Sequence, residues 1–241
     1  MRIYILTLFP DALEGAFSKG IFKKAQDKGL FEIHYVNLRD FSVDRHKTVD
    51  DKPFGGGAGM VLKADVVYAA VKSIDQFESY RLIYTCPKGS VFSQSDAKVW
   101  GQDKGLIVLC GYYEGVDERV LTILPFQRVS LGSFVLSSGE LPSLVIAESI
   151  VRLIPGVLGN DKSVDDDSIV SGVLEYPQYT QPRVFMDHSV PEVLVGGNHK
   201  LIDSWKREQS LKETLMRRPE LLVSTELSVN DQQMLVEFLK E

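Results

Sequence analysis

Several groups of residues in this sequence have the types and spacing to do chemistry. The turn GYYEGVDER, Gly111 to Arg119, carries Glu114, Asp117, Glu118 and Arg119 directly after an apolar run, Leu106 to Cys110. Some of these charges load the N-terminus of a following helix. Glu114, between Tyr113 and Gly115, lies in the turn itself and is the one whose position fits ligand contact. Arg152 ends an apolar stretch, where it either complements a helix dipole or stabilises an anion forming in a cleft. Asp165, Asp166 and Asp167 form a run. Adjacent like charges raise one another's pKa and make a better proton acceptor, while the plainer reading is a solvated linker. His46 with Asp50 and Asp51 could serve as a base or a metal site, and a surface histidine bonded to a carboxylate is the commoner outcome. The four histidines make no H-x-x-x-H pair, so no structural metal is expected.

The glycine run Gly55 to Gly59 lacks a Gly-Lys-Ser/Thr ending, follows charged residues rather than a strand, and has Met60 where a dinucleotide fingerprint needs its third glycine. Its exposed amides, beside Arg45, His46, Lys47 and Lys52, could hold a nucleic-acid backbone, and loop flexibility is an equal reading. In the tail, Lys206, Arg207, Lys212, Arg217 and Arg218 gather positive charge locally, which favours phosphate contact over a merely solvated face only to a degree.

The elements that must position these residues alternate. Ile3 to Phe9 reads as a strand stopped by Pro10, followed by helical segments around Asp11 to Ser18 and Gly20 to Asp27. Phe31 to Asn37 is a strand, Leu38 to Met60 a long irregular loop, Lys63 to Phe77 a helix and Arg81 to Pro87 a strand. A helix from Ser93 to Gly101 opens with Ser93 and Asp96 at capping-box spacing. A strand at Leu106 to Cys110, a helix at Val116 to Leu124 and a strand at Gln127 to Leu131 follow. Glu140 to Leu153 is a helix apolar nearly all round, which must be buried on most sides, within the core or under a partner subunit. The alternation predicts an α/β fold with a mostly parallel sheet, helices on both faces, and a ligand cleft where Leu106 to Gly139 ends two buried strands in glycine turns. The expected division is 1–159 as the catalytic domain, 160–174 as a polar linker and 175–241 as a small, mainly helical domain with helices near His199 to Arg217 and Ser228 to Lys240.

Bulk properties narrow the class. The chain has 241 residues and a formal net charge of −6, so no global attraction to nucleic acid is expected. Cys86 and Cys110, each in or beside an apolar run, read as small buried hydrophobes in a reducing compartment. No apolar stretch approaches the ~20 residues of a membrane span. No secretory signal stands at the start, so a cytoplasmic protein without membrane contact is the expectation.

Taken together, LFPD (Leu8 to Asp11), HKTVDDKPFGGGAGM (His46 to Met60), GYYEGVDER, LIPGVLG (Leu153 to Gly159), LEYPQYT (Leu174 to Thr180), GNH (Gly197 to His199) and RRPELL (Arg217 to Leu222) resemble the bacterial tRNA (guanine-N1)-methyltransferases of the TrmD type, in the SPOUT class. The resemblance spans almost the whole chain. It implies a deep trefoil knot around Leu106 to Gly139, S-adenosylmethionine as methyl donor, a homodimer with shared active sites, and tRNA as substrate, methylated on the guanine immediately 3′ of the anticodon. It implies cofactor contacts at Tyr84, Thr85, Cys86, Pro87, Gly111, Tyr113, Glu114, Leu131, Gly132, Ser133, Phe134, Val135, Leu136, Ser138, Gly139 and Pro142. Asp167 matches the family's general base and Arg152 the arginine acting on the guanine; His46 and Asp50 are substrate candidates, and Mg2+ is a further candidate for activity. The tail domain would bind tRNA. Departures from the family pattern fall at Ser133, Ser138, Ile169, Gln181 and Lys206; Ser133 and Gln181 would be a compensated loss of one charge pair. A knotted methyltransferase acting on another RNA base, or an RNA-binding protein without catalysis, are the rival readings. Arg152 and Asp167 together speak against the second.

Overall fold

A computed structural model describes residues 1–158 and 172–240. The chain divides into two compact units, Met1–Gly159 and Asn160–Glu241. The first runs β1 (Arg2–Thr7), α1 (Gly20–Asp27), β2 (Glu32–Asn37), β3 (Asp50–Asp51), β4 (Val61–Leu62), α2 (Ala64–Lys72), β5 (Arg81–Val91), α3 (Gln94–Trp100), β6 (Gly105–Cys110), α4 (Glu118–Ile123), β7 (Gln127–Ser130) and α5 (Glu140–Val151). β2, β1, β6, β5 and β7 form a sheet in that order, with every neighbouring pair parallel.

The alternation of side chains along each strand explains how the sheet is covered. Leu6 of β1, Leu82 and Tyr84 of β5 and Ile107 and Leu109 of β6 pack with Val66, Val67, Ala70 and Val71 of α2 and Val120 of α4. On the other face, Ile3 and Ile5 of β1 meet Ala25 of α1 and Ala147 and Val151 of α5. Ile83, Leu106 and Val108 meet Ala97 and Trp100 of α3 with Ile146 and Ile150 of α5. β6 lies at the centre and all of GLIVLC is buried, as a central parallel strand requires.

Several expectations need correction. Asp11 to Ser18 is no α-helix: only a 3-10 turn forms, Pro10–Ala12. β5 runs past Pro87 to Val91, because its register with β7 shifts between Thr85 and Ser90 and lets Cys86–Gly89 bulge out. The segment Leu38 to Met60 is less irregular than its composition suggests. It opens with a 3-10 helix, Leu38–Phe41, capped by Asn37, and β3 pairs antiparallel with β4. Between them Asp44 accepts hydrogen bonds from the Ser42 and Thr48 hydroxyls and the His46 and Thr48 amides. The Ser42 bond above all, with the others, holds the Asp44 carboxyl down at about 2. α5 buries Ser143, Ile146, Ala147, Ile150 and Val151 against its own chain and leaves Leu141 62% and Val145 47% exposed, so the core alone does not cover it all round. A helix without a polar stripe gives no sequence sign of which face meets the sheet.

The second unit holds an antiparallel pair, β8 (Val184–Phe185) with β9 (His188–Ser189), and then α6 (Glu192–Val195), α7 (His199–Arg217), α8 (Glu220–Ser224) and α9 (Val229–Phe238). Ser228 and Asp231 form the capping box that opens α9. The Asp231 carboxylate also accepts from Arg207 of α7 through both oxygens, at 2.9 Å each. Arg207, then Ser228, hold the Asp231 carboxyl down at about 2. Because its folded pKa is depressed, its contribution is complete above the unfolded value of ~3.9 and is lost as pH falls toward 2. Asp231→Ala should therefore destabilise the α7–α9 packing at pH 7 by about 2–4 kcal/mol and flatten this acid response. Hydrogen exchange of the α7 and α9 amides between pH 3 and pH 7 measures it, and parental protection in the variant would contradict it.

Candidate cofactor cavity

The carboxyl ends of β5, β6 and β7 enclose a cavity of about 310 Å³, within the ~300–1,000 Å³ of small-molecule sites. Its inner edge is built from bare backbone. Gly111, after β6, donates its amide to Thr85 Oγ1 at 3.2 Å, and the Thr85 hydroxyl donates to Leu109 O at 3.2 Å. Gly139 donates to Gly111 O at 2.7 Å, which brings the end of the 131–139 segment back into the gap between β5 and β6. A Cβ on Gly139 would overlap Thr85 Oγ1 and the Gly111 amide and come within 2.7 Å of Cys110 Cα. Only glycine fits there, by proximity rather than by backbone angle.

The bulge of β5 supplies Cys86, Pro87 and Lys88, and the segment after β7 supplies Leu131, Phe134, Val135, Leu136 and Ser138. Pro142 of α5 and Tyr84 complete the wall. Burial pushes the Tyr84 phenol up to about 12, so it stays neutral at physiological pH. Tyr113 holds a positive φ of 55°, a conformation costing about 1 kcal/mol or more for a side chain of this size and concentrated at functional turns. Its ring packs at 4.5 Å from Tyr112, and the phenol is raised by burial and by the nearby charge of Asp50.

Glu114 also lines the cavity and is held from outside by the glycine-rich loop. Its amide donates to Met60 O at 3.0 Å, Leu62 N to Gly115 O at 2.9 Å and Asp117 N to Leu62 O at 3.0 Å. Gly59, with φ of 82°, lies so close that a Cβ there would overlap the Glu114 carboxylate. The glycines at the other end of the run, Gly55 and Gly56, face open space. Asp117 caps α4 and is ion-paired with Arg119, and Glu118 is paired with Arg128.

Of the residues expected to contact a cofactor, all but Gly132 and Ser133 line this cavity. Lys88, Tyr112, Gly115, Val116, Glu118, Leu121, Arg128, Val129, Ser130 and Ser137 line it as well. The signal for Lys88 lay beside it, in Pro87 and Gly89, which interrupt a strand as residues of a bulge do. Arg152, at the C-cap of α5, is exposed and does not line the cavity, nor do His46 and Asp50. Asp167 lies outside the described residues, with Asp165 and Asp166. Among the described residues no group of three or more His, Cys, Asp or Glu is placed to hold a metal, so Mg2+ finds no support here. No helix among them is long and apolar enough to cross a membrane. Cys110 is buried as expected, with its thiol pushed up chiefly by burial, whereas Cys86 is half-buried on the cavity wall.

The cavity thus offers apolar side chains, neutral hydroxyls and backbone groups, with Lys88, Glu114 and Glu118 at exposed positions and Arg128 half-buried. That suits an uncharged heterocycle attached to a more polar tail. Comparison with known proteins agrees with the motif reading. The family described as tRNA (Guanine-1)-methyltransferase TrmD matches residues 1–224. A tRNA (guanine-N(1)-)-methyltransferase of Staphylococcus carnosus is 46% identical over 241 residues, covering 100% of this chain and 98% of that protein. Its counterpart in Dictyoglomus turgidum is 47% identical over the same shares, and that of Geobacillus kaustophilus 46%, over 100% and 99%. With a family match over residues 1–224 and relatives this similar over nearly their full length, the chain belongs to the TrmD family of tRNA (guanine-1)-methyltransferases.

Proposed function

We propose that this chain methylates N1 of the guanosine immediately 3′ of the anticodon in tRNA, with S-adenosylmethionine bound in the β5–β6–β7 cavity. The observation that carries the reading is the bare inner edge, Gly111 and Gly139, beside an apolar wall of suitable volume. Main-chain groups can approach a purine there, and Leu131, Phe134 and Leu136 can cover it. S-adenosylmethionine, when bound, supplies an electrophilic methyl group. The return of the 131–139 segment to Gly111 between β5 and β6 supports the inference that this part of the chain is knotted.

The protein's own work concerns the guanine. N1 carries a proton and is a poor nucleophile until that proton leaves. Asp167, which matches the family's general base, would accept it, and its neighbours Asp165 and Asp166 favour a basic carboxylate. As N1 is deprotonated, negative charge develops on O6, and the Arg152 guanidinium stabilises it. Holding N1 in line with the methyl group supplies much of the remaining acceleration.

Arg152 lies outside the cavity lining, and α5 exposes Leu141 and Val145 on the helix that ends at Arg152. Both facts fit a homodimer in which each site draws residues from two chains, with the apolar face of α5 covered by the second copy. The second unit would hold tRNA. Of its basic side chains, Arg207, Arg217 and Arg218 are already ion-paired within that unit. A cytoplasmic setting follows from a tRNA substrate. Mixing Asp167→Ala with Arg152→Ala subunits should restore about a quarter to a half of the parental turnover in verified heterodimers, because one of the two sites regains both groups. No recovery would rule out the shared site.

A further inference from the structure

Glu140 is the first residue of α5 and is 6% exposed, yet it does not line the cavity. Its Oε1 accepts a 2.5 Å hydrogen bond from Thr7 Oγ1 at the end of β1, and Thr7 is fully buried. Thr7 Oγ1 in turn accepts from the Phe9 amide at 2.9 Å. The other carboxyl oxygen, Oε2, is buried with no hydrogen-bond partner among the described residues. A half-satisfied carboxyl in the interior is a costly feature that a packed apolar side chain would avoid. Its neighbours indicate what offsets that cost. Immediately before it, Gly139 donates to Gly111 O after β6, and Ser143, one turn on, donates to Gly139 O at 2.7 Å. Ser143 Oγ also meets Cys110 Sγ at 3.2 Å. The point where the cavity wall turns into α5 is therefore tied to β6 by backbone and to β1 by the Glu140 side chain.

We propose that Glu140 is a positioning residue: through Thr7 it fixes the first turn of α5, and so keeps Gly139 and Ser138 seated as one wall of the cofactor cavity. This rests on the cavity being the S-adenosylmethionine site. Glu140 acts through Gly139, since it lies behind the wall rather than on it. Loosening it should weaken cofactor affinity selectively and leave the tRNA surface unchanged.

The test is calorimetric titration with S-adenosylhomocysteine, alongside KM values for S-adenosylmethionine and tRNA, on the full-length protein. Glu140→Ala and Thr7→Val should weaken S-adenosylhomocysteine binding about ten-fold or more, equivalent to about 1.4 kcal/mol, with the KM for tRNA within about two-fold. Glu140→Gln and Thr7→Ser keep an acceptor and a donor for the same bond and should stay within about three-fold of the parent. Should Glu140→Ala fail to fold, the contrast between Thr7→Val and Thr7→Ser decides. Parental affinity in folded Glu140→Ala, Glu140→Gln as weak as Glu140→Ala, or an equal rise in the KM for tRNA would each overturn the assignment. Absence of binding by the parent protein would instead overturn the cavity reading itself.

Discussion

Gly139→Ala should reduce S-adenosylmethionine affinity about a hundred-fold or more while leaving a folded protein. The added Cβ has nowhere to go: it would overlap Thr85 Oγ1 and the Gly111 amide, and both belong to the strand ends that form the cavity edge. Relief requires the 131–139 segment to back away, which breaks the 2.7 Å bond from Gly139 to Gly111 O and opens the wall. Overpacking of this size destabilises by about 1–3 kcal/mol, an amount a domain this large tolerates. Gly15→Ala is the matched control, because a Cβ at Gly15 meets nothing within 4 Å. Calorimetry and thermal unfolding on both variants check it, and parental affinity in Gly139→Ala would mean the cofactor does not sit against this edge.

Asp167→Ala should lower methyl transfer by about 10²–10⁴-fold, the usual contribution of a positioned general base. Cofactor affinity should stay within about three-fold, because the cavity is formed by residues of the first unit. Asp165→Ala and Asp166→Ala should cost far less, since they tune the base electrostatically without touching the proton. Near-parental turnover in Asp167→Ala, with binding intact, would remove Asp167 as the base.

These two variants also mark what the sequence made legible. The all-apolar run of β6 and the capping boxes at Ser93–Asp96 and Ser228–Asp231 are local signals, and each produced the element expected of it. The glycines that end β6 and begin α5 announced a cleft because only glycine permits strand ends to meet so closely. What they hold, however, came from resemblance and not from pattern. Other features had no local mark. The stitching of Met60 and Leu62 onto Glu114, Gly115 and Asp117 uses only backbone atoms. The Thr7–Glu140 bond joins residues 133 apart in the chain, so neither residue type predicts its partner. The sequence leaves the exposed face of α5 open between the core and a partner for a different reason. Apolarity all round shows that a helix meets apolar surfaces, and does not say which of them lies in its own chain.

The central claim is that the cavity of the first unit delivers a methyl group to one atom of one base. It is tested most directly by incubating the parent protein with methyl-labelled S-adenosylmethionine and unmodified tRNA transcripts, then mapping the labelled nucleoside by digestion and mass spectrometry. The account predicts 1-methylguanosine at the position immediately 3′ of the anticodon, with that signal reduced to the background of the Asp167→Ala reaction when Asp167 is absent. Label on a different base or a different ring atom, or no transfer by protein that binds both cofactor and tRNA, would contradict it.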